Sequence, residues 1–480
     1  MDTTDTISTG AEIRDLERQV VGDIWTSDEP YQNLLYLCDD IGNRWAGSTS
    51  EHRAGEFIQS KLAGYGLENV HLEPVQFGAW ERGEARLWMT APIEKEFSCI
   101  ALPYCPAGEV EGELIDVGNG EEEDFERLGE AVRGKIVVSA AETNPVGRTS
   151  AKLSHRTDKL RRAVDAGATA FVFVNQNPGL LHITGGIGAP GGHPAAIIGI
   201  GTSWEHGSAI LRLARRSGTP ARLRIRTGGR FHQNTSHNVV GDIPGSRWPD
   251  ELVIAGAHYD GHDISQGALD DGAGTVVCLE AARVLAGLPP GSLKRTVRFV
   301  LFCGEEVGLF GSWAYTADHE DEAARTRFML NLDTAGRGKG GSESLTLTGA
   351  PDLIPYFQAH SAATRYDFPV NHNLGSHSDH FPYALRGIPT ATLSSPDDTT
   401  RMVGRGWGHT EADTVDKASL RGLQMASMVT SRLLLHVSRD EAYPGRRRSR
   451  DEVLEQLRDA GLEAPLRRSG RLELAGGRDA

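Results

Sequence analysis

Between Asn238 and His436 short apolar runs alternate with stretches of helical periodicity, and several of the apolar runs stop on side chains that can bind a metal. Strand-like segments over Leu252–Ala257, Thr296–Phe302, Phe328–Leu332 and Thr390–Leu393 are separated by helical patterns over Thr275–Leu285, Gly311–Ala317 and Leu353–Ala363, and a last helix is expected over Leu420–His436. Such alternation predicts an α/β fold, a mixed and mostly parallel sheet with helices on both faces. Ligands of open sheets gather outside the carboxyl ends of the strands. The residues that end these runs are therefore the first candidates for chemistry.

The rest of the chain divides by composition. Residues 1–27 read as a polar lead-in. A capping-type start at Ser48 to Glu51 opens a helix with Ala54, Phe57, Ile58 and Leu62 on one face, closed by Gly64 and Gly66. Strand-like pieces follow to about Pro92. Over 95–230 glycine and proline punctuate short β runs at 112–117, 134–138 and 168–174, with one helical stretch at Lys159–Ala166 and a Gly- and His-rich loop over Leu181–Pro194. The Arg-rich tail carries one expected helix near Asp451–Ala460 and otherwise reads as a solvated appendage. The expected organisation is a lead-in (1–27), a main domain (28–94 and 231–438), a small β-rich insert (95–230) and a charged extension (439–480).

A net charge of −15 and a pI near 5.6 disfavour nucleic acid or an anionic membrane as the partner. Met1 to Ala11 show neither a basic start nor an apolar run, and no stretch reaches the roughly 18 apolar residues that a membrane helix needs. The five cysteines are scattered without zinc-knuckle or thioredoxin spacing. A cytoplasmic protein is the expectation.

Five segments collect the chemistry. The run Val253–Ala257 ends on His258, with Asp260 in reach to accept its second ring N–H, as metal-bound imidazoles usually require. A structural His–Asp pair would read the same. Asp270 and Asp271 stand in a glycine-rich loop before the Thr275 helix, where either could equally cap that helix. The apolar run Phe299–Phe302 leads to Glu305 and Glu306, and like charges after so apolar a strand are costly unless a cation neutralises them. Met329–Leu332 ends on Asp333, and the polar loop Gly406–Thr414 holds His409. Each segment alone is ordinary. Together, two histidines and three carboxylates, with a glutamate to spare, form a ligand set for two zinc ions that share an aspartate.

In this order, H-x-D, D-x-x-A-G, E-E, N-x-D and H-T-x-x-D-T, the chain resembles the di-zinc exopeptidase family of bacterial leucyl aminopeptidases, glutamate carboxypeptidase and carboxypeptidase Q. The likeness covers roughly residues 28–438. It includes the opening helix after Arg44, the lead-in strand Asn238–Gly245, and Ser378-Asp379-His380 with Gly387-Ile388-Pro389; residues 95–230 are similar to a protease-associated (PA) domain. The resemblance implies a zinc-peptidase, phosphorylase/hydrolase-like fold and a metalloprotease that removes residues from a chain end, with a water between two zinc ions as nucleophile. One zinc would be held by His258, Asp270 and Asp333, the second by Asp270, Glu306 and His409. Asp260 would orient His258, and Glu305 would be the general base. The implied partner is a peptide or dipeptide, with neither nucleic acid nor membrane, and the insert would restrict the cleft or support a homodimer.

Two positions depart from the family pattern: Ala273 where serine is frequent, and Gly408 before His409 where several relatives have an oxyanion-steadying tyrosine. Tyr383 and His380 are the unassigned candidates to replace that tyrosine. The choice between aminopeptidase and carboxypeptidase stays open, with Glu411 and Asp379 as candidates for capturing an α-amine and Arg401 and Arg405 for a terminal carboxylate. Competing readings are glutaminyl-cyclase-like acyl transfer and a catalytically inactive PA-containing binding protein. The intact ligand positions favour hydrolysis over both.

Overall fold

The computed structural model describes residues 3–141, 154–396, 406–468 and 470–474. At its centre lie four mutually parallel strands, Thr390–Ser394, Thr326–Asn331, Trp248–His258 and Arg295–Phe302, in that spatial order. Ser344–Thr348 adds antiparallel at one side and Arg222–Ile243 at the other. The central strands are buried on both faces, as parallel strands must be when helices cover the two sides.

Alternation along the strands sorts their side chains between two apolar layers. Val253, Ala255, Phe299 and Leu301 pack in the larger cluster with the helices Ala273–Ala286 and Leu420–Arg439. Leu252, Ile254, Val300 and Phe302 face the opposite layer with Tyr315 of Phe310–Asp318 and Tyr383 of His380–Leu385. The registers matter more for function. Phe302 lies opposite His258, and Asn331 opposite Gly256, so the three strands release their chains at one edge.

A long ribbon joins this sheet to the rest. Glu68–Ala91 runs antiparallel to Arg222–Ile243, from His71 opposite Val240 to Ala91 opposite Arg222. Where an insert boundary was expected at 230/231, the strand therefore continues unbroken. At the ribbon's irregularity Gly83 lies against the Gly228 carbonyl, where a Cβ would come within 1.8 Å of the oxygen. Beyond it Gly108–Asp116, Ile136–Ala140, Ala170–Val174 and Ile198–Thr202 extend the sheet, with the helix Arg156–Asp165 between the second and third of them.

Two expectations fail at the termini. The polar lead-in is instead a helix, Thr3–Trp25, that buries Leu16, Val20 and Ile24 against the body. Their i, i+4, i+8 spacing supplies an apolar stripe despite the polar composition. Glu17 binds both Arg432 and His436 at 2.9 and 3.0 Å. The tail is no solvated appendage either. Val453 and Leu457 of the helix Arg450–Asp459, with Leu466 and Leu472, pack on Phe381 and Leu385. Arg448 anchors the tail to Asp352 and Arg447 to the Arg386 carbonyl, while Arg446 pairs within the tail with Glu452. The five cysteines are free, and among the described residues no helix is long and apolar enough to cross a membrane.

Two outcomes follow. Leu457→Ala should cost about 2–5 kcal/mol, the range for deleting a buried leucine side chain, and thermal unfolding would show it, whereas a solvated tail would give no shift. Burial opposes ionisation of Glu17, but the His436 hydrogen bond and the Arg432 charge outweigh it and hold the carboxyl at about 2 against an ordinary 4.5. A depressed folded pKa gives stability that is present above the unfolded value and lost as pH falls toward the folded one. The difference in unfolding temperature between wild type and Glu17→Gln should thus be largest above about pH 5 and shrink steadily toward about pH 3.

Candidate metal centre

The site forms where the parallel strands end. His258 closes its strand with a side chain 1% exposed. Its Nδ1 lies 3.3 Å from the Asp260 carbonyl and 3.4 Å from Asp260 Oδ1. A carbonyl oxygen only accepts, so Nδ1 carries a proton and Nε2 is the nitrogen that faces the cleft. Asp260 has a second task that its sequence position did not disclose. Its carboxylate accepts the backbone amides of Glu305, at 3.0 Å, and Glu306, at 3.2 Å. One buried aspartate thereby ties the loop after one strand to the loop after its neighbour.

Asp270 lies between two groups of donors. Its Oδ1 is 3.6 Å from His258 Nε2 and its Oδ2 is 3.4 Å from His409 Nε2. Asp413 accepts the amides of Leu269 and Asp270 at 2.7 and 3.1 Å. Arg337 donates to the Leu269 carbonyl at 2.8 Å and stands 3.2 Å from Asp270 Oδ1. Asp271 turns away, accepting the amides of Gly274 and Thr334, which is the helix-start bonding its position suggested. Around the same loop the buried Arg44 donates to the carbonyls of Tyr259, Gln266 and Gly267 at 2.7, 2.7 and 2.8 Å.

Glu306 Oε2 is 3.1 Å from His409 Nε2, and Glu305 Oε2 is 4.0 Å from His258 Nε2. The ligating atoms of His258, Glu305 and Asp333 lie within 4.8 Å of one another. His409 is held by the insert: its Nδ1 reaches the Thr184 carbonyl at 3.1 Å, while the Thr184 amide donates to the His409 carbonyl at 2.9 Å. The carbonyl again fixes the proton on Nδ1 and leaves Nε2 for the cleft. Asn177 binds the Gly406 carbonyl, and His182 pairs with Glu411.

Electrostatics separates the two neighbouring glutamates. Burial pushes Glu305 well above the usual carboxylate range, with Asp333 and Glu306 adding to the push and His258 opposing it. Burial acts the same way on Glu306, but His262 and His409 overcome it and hold that carboxyl well below the range. Arg337, His258 and His409 likewise overcome burial at Asp270 and hold it low. At His258 the carboxylates of Glu305, Asp260 and Asp270 outweigh burial and raise the imidazole.

The chain thus brings all seven sequence candidates, His258, Asp260, Asp270, Glu305, Glu306, Asp333 and His409, to one sheet edge. Tyr383 does not reach it. Its ring packs in the apolar layer with Phe302 and Tyr315. His380 is buried near Asp333, bonded to the Gly375 carbonyl, and burial lowers it to about 4. Glu411 is engaged by His182, and burial pushes Asp379 up to about 7, with Asp260 and Asp333 adding to the push. Arg401 and Arg405 lie outside the described residues. Sequence reasoning missed Arg337, Arg44 and His262. His262 is 2% exposed, with Nε2 3.0 Å from Glu306 Oε2 and its ring 4.4 Å from that of His409. Its signal was a second imidazole four residues past His258.

The model of peptidase family M28 matches residues 238–434, and that of the PA domain residues 110–210. Bovine carboxypeptidase Q is 32% identical over a match that spans 63% of this chain and 64% of that protein. A structure of a peptidase M28 precursor from Shewanella amazonensis superposes with a TM-score of 0.75 at 23% identity, over 92% of this chain and 99% of that one. A zinc aminopeptidase from Bacillus subtilis superposes at 0.65 with 25% identity, over 88% and 98%. Residues 238–434, which carry every candidate ligand, thus match peptidase family M28, and residues 110–210 within the β-rich insert match the PA domain.

Proposed function

We propose that the protein is a metal-dependent exopeptidase, with His258, Asp270 and Asp333 holding one zinc ion, Asp270, Glu306 and His409 a second, and Glu305 acting as general base. The reading is carried by the meeting of buried carboxylates and imidazoles at one strand edge. Among the described residues His258 Nε2, Glu306 Oε1 and Asp333 Oδ1 are buried without a hydrogen-bond partner. Leaving such atoms unpaired is costly, and a divalent cation removes the cost for all of them together. The donor set also fits, because imidazole nitrogen and carboxylate oxygen are what zinc takes in catalytic sites.

Zinc bound there would supply a Lewis acid that polarises the scissile carbonyl and acidifies water. The protein supplies the rest. Asp270 presents one oxygen to each group of ligands, with Arg337 balancing its charge. Asp260 fixes the backbone of Glu305, so that its side chain faces the cleft beside His258. From there Glu305 accepts a proton from the attacking water and returns it to the leaving amine, a transfer that positioned groups accelerate by about 10²–10⁴-fold. Relatives named as a carboxypeptidase and as a zinc aminopeptidase support a peptide or dipeptide substrate cut at its end. The free cysteines support a reducing, cytoplasmic setting.

Glu305→Gln should keep both metals and lose about 10²–10⁴-fold in kcat, read by metal analysis and turnover on the same preparation; wild-type turnover would remove Glu305 from its role. In a panel of peptides with a free amino end, a free carboxyl end, or both ends blocked, one free-ended series should release single amino acids. The doubly blocked series should stay intact. Cleavage within blocked peptides would overturn the exopeptidase reading.

A further inference from the structure

The second group of donors contains one imidazole more than the five-residue set uses. His262 lies in the loop held by Arg44, and its side chain is 2% exposed. Its Nε2 stands 3.0 Å from Glu306 Oε2, close to where His409 Nε2 meets the same oxygen at 3.1 Å. The two rings meet edge to face at 4.4 Å. Yet neither nitrogen of His262 makes a hydrogen bond among the described residues. The approach to Glu306 is close without being aligned as an N–H···O bond. Trp45 packs against the ring at 5.9 Å, which satisfies its apolar face and leaves its nitrogens dry.

A buried imidazole with both nitrogens unbonded is costly as mere filling. Spacing supplies the alternative. Zinc bonds of about 2.0–2.2 Å in a tetrahedral site set neighbouring ligand atoms roughly 3.3–3.6 Å apart. Here the separations are 3.0 Å from His262 to Glu306, 3.1 Å from His409 to Glu306 and 3.4 Å from His409 to Asp270. The last matches such a separation and the first two are a few tenths of an ångström shorter, so the donors already cluster at nearly the spacing that a shared cation requires. The ligating atoms of His262, Glu306 and His409 all lie within 4.8 Å of one another.

We infer that His262 is an additional ligand of the second metal position, which then holds two imidazoles, the Glu306 carboxylate and the shared Asp270. The inference rests on the two-metal reading and deepens it by making the positions unequal. The position of His258, Asp333 and Asp270 has three protein donors and keeps room for substrate and water. The position of His262, Glu306, His409 and Asp270 has four and is the more saturated and tightly held of the two.

The test is a titration of the metal-free full-length chain with Co(II), followed by calorimetry and visible absorption, for wild type, His262→Ala and His262→Gln. Both variants should weaken one of the two binding events by about 100-fold or more and change its ligand-field bands, leaving the other unchanged. X-ray absorption of the di-zinc wild-type protein should count three imidazoles shared between two metals, a readout that needs no variant. Wild-type affinity and bands in both variants, or only two imidazoles, would overturn the assignment while leaving the two-metal reading in place. If His262 only packs on Trp45, the variants would lower the unfolding temperature of the metal-free chain and spare the metal affinities, which also overturns it. A wild-type chain that takes up no Co(II) would remove both readings.

Discussion

Repulsion among buried carboxylates is the constraint around which this end of the sheet is built. Asp260, Asp270, Asp271, Glu305, Glu306, Asp333 and Asp379 converge where three parallel strands end. Two like charges 4 Å apart repel by about 4 kcal/mol even at an effective dielectric of 20. The fold relieves part of this with its own groups. Asp260 is absorbed by the Glu305 and Glu306 amides, Asp271 by those of Gly274 and Thr334, and Asp270 by Arg337. What these partners leave uncompensated, Glu305, Glu306 and Asp333, faces the imidazoles of His258, His262 and His409. On the proposed two-metal reading, divalent cations would complete that arrangement and would supply the charge that polarises a carbonyl.

The inserted domain belongs to this account rather than to the periphery. The loop that carries His409 is bonded to the insert by Thr184, Asn177 and His182, and Arg82 joins Asp263 to Thr184 across the ribbon. The last of the candidate ligands, His409, is thus presented by contacts between the two parts of the molecule. The ribbon of Glu68–Ala91 and Arg222–Ile243, paired along almost its whole length, keeps those parts in register. Fixing the proton on Nδ1 of His409 through an insert carbonyl makes the insert set which ring nitrogen faces the cleft.

Much of this was legible before the fold was seen. The central strands announce themselves because burial on both faces demands unbroken apolar runs, and the motif order carried the family. The termini were misread for a physical reason. Thr3–Trp25 and the tail helices are polar on average, and what docks them is a sparse stripe, Leu16, Val20 and Ile24 or Val453 and Leu457, that composition conceals and only periodicity reveals. Tyr383 stayed unassigned because a tyrosine near a site in sequence says nothing about which face of its helix points inward; its ring fills the layer beneath the sheet. Nothing local marks Arg337 and Arg44, whose partners are backbone carbonyls distant in sequence, whereas His262 carries the signal of its spacing from His258 but faces a carboxylate of another loop.

If cations offset the cost of holding these carboxylates and imidazoles together, as proposed, metal binding and fold stability are linked. Binding to the folded state alone stabilises it by about 2.7 kcal/mol at a hundredfold excess over Kd. The most direct measurement is zinc content together with the unfolding temperature of the full chain, before and after chelation and after restoring zinc. Two zinc ions per chain, a marked fall in unfolding temperature on their removal, and recovery when they return are the expected results. A chain that holds no zinc and unfolds at the same temperature with or without it would contradict the account at its root.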